Sequence, residues 1–77
     1  MKPTIKQHND FLARKLILGV ALQHNDYVKI IEGPLAPDAG SVVSIEELGD
    51  KPVYLIELES GAEQLVSQHW LEFVSHD

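Results

Sequence analysis

The sequence contains no cysteine. That absence removes the disulfide framework of many small secreted domains, together with thiolate zinc sites and thiol nucleophiles. It fits a cytoplasmic chain, the localisation expected here. Aromatic residues are scarce at 6%, with one tryptophan, two tyrosines and two phenylalanines. They leave little material for a peptide-binding groove paved with several rings. Long hydrophobic runs are also missing. The longest uncharged apolar stretch is Leu16 to Leu22, seven residues, against the ~20 that a spanning helix needs. No membrane segment is expected. Arg14 and Lys15 precede that stretch, but it is at the lower limit for a signal core and its polar leader is long, so no secretory signal is expected. Catalytic motifs are missing too. The sequence holds no Gly-x-Ser-x-Gly elbow, no phosphate-cradling glycine loop and no His-Glu-x-x-His pair.

Hydrophobic residues make up 44% of the 77 positions. That is too apolar for a disordered chain and too short for two ordinary domains. Six lysines and arginines face twelve aspartates and glutamates, for a net charge of −6. The imbalance is uneven. Residues 1–31 carry Lys2, Lys6, Arg14, Lys15 and Lys29 against Asp10 and Asp26, a net of +3. Residues 32–77 carry only Lys51 against ten carboxylates, a net of −9. An acidic surface repels phosphate backbones and suits a basic protein partner.

The expected organisation runs in three parts. Residues 1–9 read as a polar, flexible leader. Asp10 is placed to N-cap a helix over residues 10–22, in which Ala13, Leu16, Ile17 and Val20 share one face. Such a helix would pack on the rest of the domain or on a partner. A strand is the competing reading for Leu16–Leu22. Residues 23–77 form the third part. Tyr27–Ile31 reads as a strand, residues 32–40 as a loop rich in glycine and proline, and Ser41–Glu46 as a second strand. Val53–Glu59 is the clearest strand, with Tyr54, Ile56 and Leu58 on one face and Leu55, Glu57 and Glu59 on the other. A Ser60-Gly61 hairpin leads to a strand over Ala62–Val66. A helical turn over Ser67–Leu71 and a short strand over Glu72–Val74 complete the chain.

This order resembles the SH3-like and KOW-like small β-barrels. The resemblance rests on Asp26-Tyr27-Val28-Lys29-Ile30, Gly40-Ser41-Val42-Val43-Ser44-Ile45, Tyr54-Leu55-Ile56-Glu57-Leu58 and Leu71-Glu72-Phe73-Val74, which together span about two-thirds of the chain. Within that group the chain looks most like small bacterial domains of unassigned function. The resemblance implies a mainly β fold, a small barrel of about five short strands preceded by an N-terminal helix. It also implies a glycine at position 40 for a tight turn, through access to positive φ. The type II dihydrofolate reductases, oligomeric small barrels, share the architecture. Only Gln64 and the Leu71-Glu72 pair match their signature.

Candidate functional residues are weighed against plainer roles. The phrase Gln-His-Asn-Asp-aromatic occurs at 7–11 and 23–27, but without metal-ligand spacing, so turns or caps are expected at His8-Asn9-Asp10 and His24-Asn25-Asp26. No metal and no cofactor is expected. His76, near the end of the chain, is expected to be disordered. Trp70 is expected to anchor a core or an interface. Glu57, Glu59 and Glu46 are expected on an exposed acidic surface, and Leu18 and Leu22 on the apolar N-terminal segment. Together they suggest a non-catalytic protein-interaction module, either an accessory subunit, an adaptor or an immunity-type inhibitor. The partner would be a protein, basic in character, or a second copy of the chain. A nucleic-acid or ribosome-associated role would have to use the basic N-terminal part. An oligomeric reductase is the third reading.

Overall fold

The computed structural model describes residues 1–76. One helix, α1 (Ile5–Leu12), precedes five strands: β1 (Tyr27–Ile30), β2 (Ala39–Glu47), β3 (Val53–Leu58), β4 (Glu63–Ser67) and β5 (Leu71–Ser75). A single 3-10 turn, Gln68–Trp70, joins β4 to β5. All pairings are antiparallel, and the strands lie in the order β4-β3-β2-β1-β5. The sheet is not closed, so β4 and β5 are its two edges. The fold is mainly β, and its strands fall within one or two residues of the sequence expectation. Among the described residues no helix is long and apolar enough to cross a membrane.

The alternation read from β3 places side chains as expected. Tyr54, Ile56 and Leu58 are buried, whereas Glu57 is exposed. Val28 and Ile30 of β1, Val42 and Ile45 of β2 and Val66 of β4 complete the same inner face. Phe11 and Leu22 cover it from the N-terminal part. β2 bulges between Val42 and Ser44. The extra residue increases the local twist, which lets one long strand pair with β1 at one end and with β3 along its length.

The N-terminal part departs from expectation. The helix spans Ile5–Leu12 and not residues 10–22, so positions 5–9 are helical and not a leader. Thr4 is its N-cap. The Thr4 hydroxyl accepts from the Gln7 N–H at 3.1 Å, and Gln7 Oε1 accepts from the Thr4 N–H at 2.8 Å. This reciprocal capping box satisfies two otherwise orphaned donors. Asp10 lies within the helix, where it pairs with Lys6 at 2.9 Å, one turn earlier. The helix stops because the chain swings to positive φ at Arg14.

Residues 16–22 are neither helix nor strand. Apart from one turn, closed by the Val20 N–H on the Ile17 carbonyl at 3.0 Å, their backbone groups bond outward. Gln68 Oε1 accepts from the Ala21 N–H at 2.9 Å, Gln68 Nε2 donates to the Gly19 carbonyl at 3.3 Å, and the Tyr54 hydroxyl accepts from the Leu22 N–H at 3.3 Å. The Tyr54 O–H in turn donates to Gln68 Oε1. A helical turn over these residues would have consumed the same groups internally.

Gly40 is needed for a reason other than the expected one. It is not among the glycines at positive φ. Gly40 sits in β2, opposite Leu58, and a Cβ there would lie 2.2 Å from the Glu57 carbonyl oxygen. Close backbone approach, and not turn geometry, requires glycine. Gly40→Ala is expected to destabilise the domain by about 1–3 kcal/mol, the usual range for forced overpacking, read as a lowered urea midpoint.

Tyr54 generates a second prediction. Burial pushes its phenol from 10.0 up to about 12. The unfolded chain therefore releases this proton near pH 10 while the folded chain holds it. The contribution is fully present below pH 10 and is lost as pH rises towards 12. Its size is on the order of 2 kcal/mol. Phenolate absorbance should show one tyrosine ionising together with unfolding, and a Tyr54→Phe variant should lose stability less steeply over that pH range.

Candidate functional site

Asp26 is the one buried charged residue among the described positions, at 1% exposure. It ends the turn at residues 23–26, which is closed by the Asp26 N–H on the Gln23 carbonyl at 3.0 Å. The Asp26 carbonyl accepts from the Val42 N–H at 2.9 Å, and this bond fixes the residue at the point where β1 begins. Sequence favours such a turn here, because Asn25 tolerates the left-handed backbone it adopts.

Three groups meet the carboxylate. Oδ2 accepts from the Gln23 N–H at 2.8 Å. Oδ1 lies 2.8 Å from His76 Nδ1 and 3.4 Å from Arg14 Nη2. Arg14 also donates to Gln23 Oε1 at 2.9 Å and to the His24 carbonyl. An ionised carboxylate can only accept, so Nδ1 of His76 must carry the proton directed at it. The 3.1 Å contact between Arg14 Nη2 and His76 Nδ1 is then two donors converging on one acceptor. The Phe73 ring, 4.7 Å from the imidazole between centroids, holds the histidine in place. His76 is therefore placed, contrary to the disorder expected at that end of the chain.

Beside this cluster lies a hollow of about 370 Å³. Leu16, Ile17, Val20, Leu22 and Phe73 line it, with Lys15, Gln23, Asp26 and His76 on its polar side. A mostly apolar concavity with a few convergent polar groups is the usual form of a binding site.

The residues singled out from sequence are spread over other parts of the molecule. Trp70 is half-buried against the core, and its ring fills the space over Gly33, where a Cβ would lie 2.6 Å from it. Its carbonyl accepts from the Ile31 N–H at 2.8 Å, so Trp70 ties the loop after β1 to the 3-10 turn. Glu57 sits on the outer face of β3, opposite Ser41 of β2 and Glu63 of β4. Glu59 follows on the same face and accepts a hydrogen bond from the Tyr27 hydroxyl. That bond holds the Tyr27 phenol above its ordinary pKa, because it stabilises the protonated form. Glu46 accepts from Ser44 Oγ at 2.6 Å, farther along β2. Leu18 is 100% exposed and Leu16 90%. Leu22 is buried in the core, which corrects its placement on a partner-facing surface. Of the two repeated phrases, the second forms a turn as expected, while His8-Asn9-Asp10 lies inside α1 and forms neither turn nor cap. Among the described residues no group of three His, Cys, Asp or Glu side chains could hold a metal ion.

Sequence reading missed the cluster of Arg14, Asp26 and His76. The only local signal was the Gln-His-Asn-Asp turn. The sequence separations of 12 and 50 residues within the cluster have no periodicity to reveal them. Asp26→Asn is expected to cost about 2–3 kcal/mol, because it leaves Arg14 without its charge partner and weakens a buried charge-assisted network. His76→Ala should cost less than about 1 kcal/mol, since that ring is mostly exposed. Urea unfolding of both variants checks the order.

No family model, curated protein or solved structure matches the chain.

Proposed function

We propose that the chain is a non-catalytic protein-interaction module that receives a basic partner on the acidic outer face of β3 and β4. The observation that carries this reading is the direct opposition of Glu57 and Glu63 across the β3–β4 ladder, with Glu59 beside them. Like charges opposed across a ladder cost stability. None of the three is in an ion pair among the described residues. A partner bearing lysine or arginine would relieve the repulsion and gain electrostatic steering as it approached. The exposed Leu16 and Leu18 offer a separate apolar contact.

We also read the architecture as an SH3-like small barrel. Support comes from the strand order β4-β3-β2-β1-β5, the bulged β2 shared between β1 and β3, and the 3-10 turn between β4 and β5. The nucleic-acid alternative has less support. It depends on the N-terminal cations, and Lys2, Lys6, Arg14 and Lys15 each lie within 4 Å of a carboxylate of this same chain. No observation favours the reductase reading.

The test is titration of a lysine- and arginine-rich peptide into the isotope-labelled chain. Amide shifts should map to the outer face of β3 and β4 at about 50 mM salt and fade at about 300 mM, as screening shortens the reach of exposed charges. Glu57→Gln should weaken the peptide while raising stability by about 0.2–1 kcal/mol, the scale of one cross-strand repulsion. No shifts at low salt, or a loss of stability in Glu57→Gln, would sink the reading.

A further inference from the structure

The hollow beside Asp26 plays no part in the acidic-face reading. At about 370 Å³ it falls within the range of roughly 300–1,000 Å³ in which proteins take small molecules. Leu16, Ile17, Val20 and Phe73 supply its apolar wall. The charges on its polar wall do not cancel. Arg14 neutralises Asp26, and the remaining carboxylate oxygen accepts from the Gln23 N–H. What is left is Lys15, 70% exposed, whose neighbour Asp10 at 3.9 Å is held more closely by Lys6 at 2.9 Å, and the outer edge of the His76 ring. His76 uses Nδ1 towards Asp26; among the described residues its Nε2 has no partner.

The geometry points to a binding site for a small amphipathic acid, an apolar chain or ring carrying one carboxylate. The apolar body packs against Ile17, Val20 and Phe73. The carboxylate accepts from Lys15 Nζ, with the unpartnered Nε2 edge of His76 beside it. Asp26 acts behind the site as a positioning residue, because its 2.8 Å contact with Nδ1 fixes which way the imidazole faces and leaves the Nε2 edge turned to the hollow. An alkylammonium ion would meet Lys15 and be repelled. A neutral alcohol would gain the apolar contact but not the charge-assisted bonds.

Octanoate, octanol and octylammonium, titrated separately into the isotope-labelled full chain, test the site. Octanoate should give saturable amide shifts over residues 16–23 and 73–76. Octanol should bind about tenfold more weakly, matching the loss of charge-assisted hydrogen bonds, and octylammonium should give no shifts there. His76→Ala and Lys15→Gln each alter an exposed side chain and should weaken octanoate several-fold without changing octanol. Ala21→Trp, which fills the hollow from an exposed position, should abolish octanoate binding. Absence of saturable octanoate shifts below about 5 mM, a weak limit on the affinity scale, would overturn the proposal. So would octylammonium binding as well as octanoate, or unchanged octanoate affinity in both charge variants. The basic-peptide titration reads the opposite charge on a different face, so either proposal can fail without the other.

Discussion

The hydroxyl of Tyr54 and the amide of Gln68 are the connection on which the N-terminal part of this protein depends. Tyr54 projects from the middle of β3 into the core, and its ring lies 6.1 Å from that of Phe11. Its hydroxyl is therefore out of water and must find partners. It donates to Gln68 and accepts from the Leu22 backbone. Gln68, at the start of the 3-10 turn, bonds in addition to Ala21 and Gly19. One phenol and one amide thus hold an irregular stretch of chain against a regular sheet. With that stretch in place, Leu22 joins the core, Ile17 and Val20 pack against it, and the hollow beside Asp26 acquires one of its walls.

The charge layout follows from the same arrangement. As a sequence, the first thirty-one residues form a cationic head. In the fold four of those five cations lie within 4 Å of the chain's own carboxylates. Lys6 and Lys15 approach Asp10, Arg14 meets Asp26, and Lys2 meets Glu47 of β2. Arg14 is the most consequential, because its positive-φ backbone ends α1 while its guanidinium closes over the turn at residues 23–26. The carboxylates of β3 and β4 receive no such relief. The net charge of −6 is therefore concentrated away from the N-terminal part, where Glu57, Glu59 and Glu63 stand outside every ion pair among the described residues.

Legibility differed sharply between the two parts. The strands could be read because a half-buried sheet imposes a period of two on its side chains, and residues 53–58 obey it at every position. The hairpin at Gly61 and the helical turn at Gln68–Trp70 carry local turn chemistry. The helix was misread for an equally physical reason. Leu16, Ile17 and Val20 have helical spacing, but no capping group follows them, whereas Thr4 and Gln7 stand in capping-box spacing three residues apart. The apolar spacing outweighed the cap. Leu22 was misplaced for the same cause, since its burial depends on a bond from its own N–H to a hydroxyl thirty-two residues away.

By itself the sequence determined the mainly β character, the five strands and the acidic character of the outer sheet face, because each depends on neighbours two positions apart. Only the tertiary structure decided where α1 ends, how residues 13–26 run, and that Arg14, Asp26 and His76 share one site. Those features rest on hydrogen bonds and ion pairs between residues far apart in the chain. Such contacts pair individual atoms and not repeating patterns, so they leave no periodic trace in the order of amino acids.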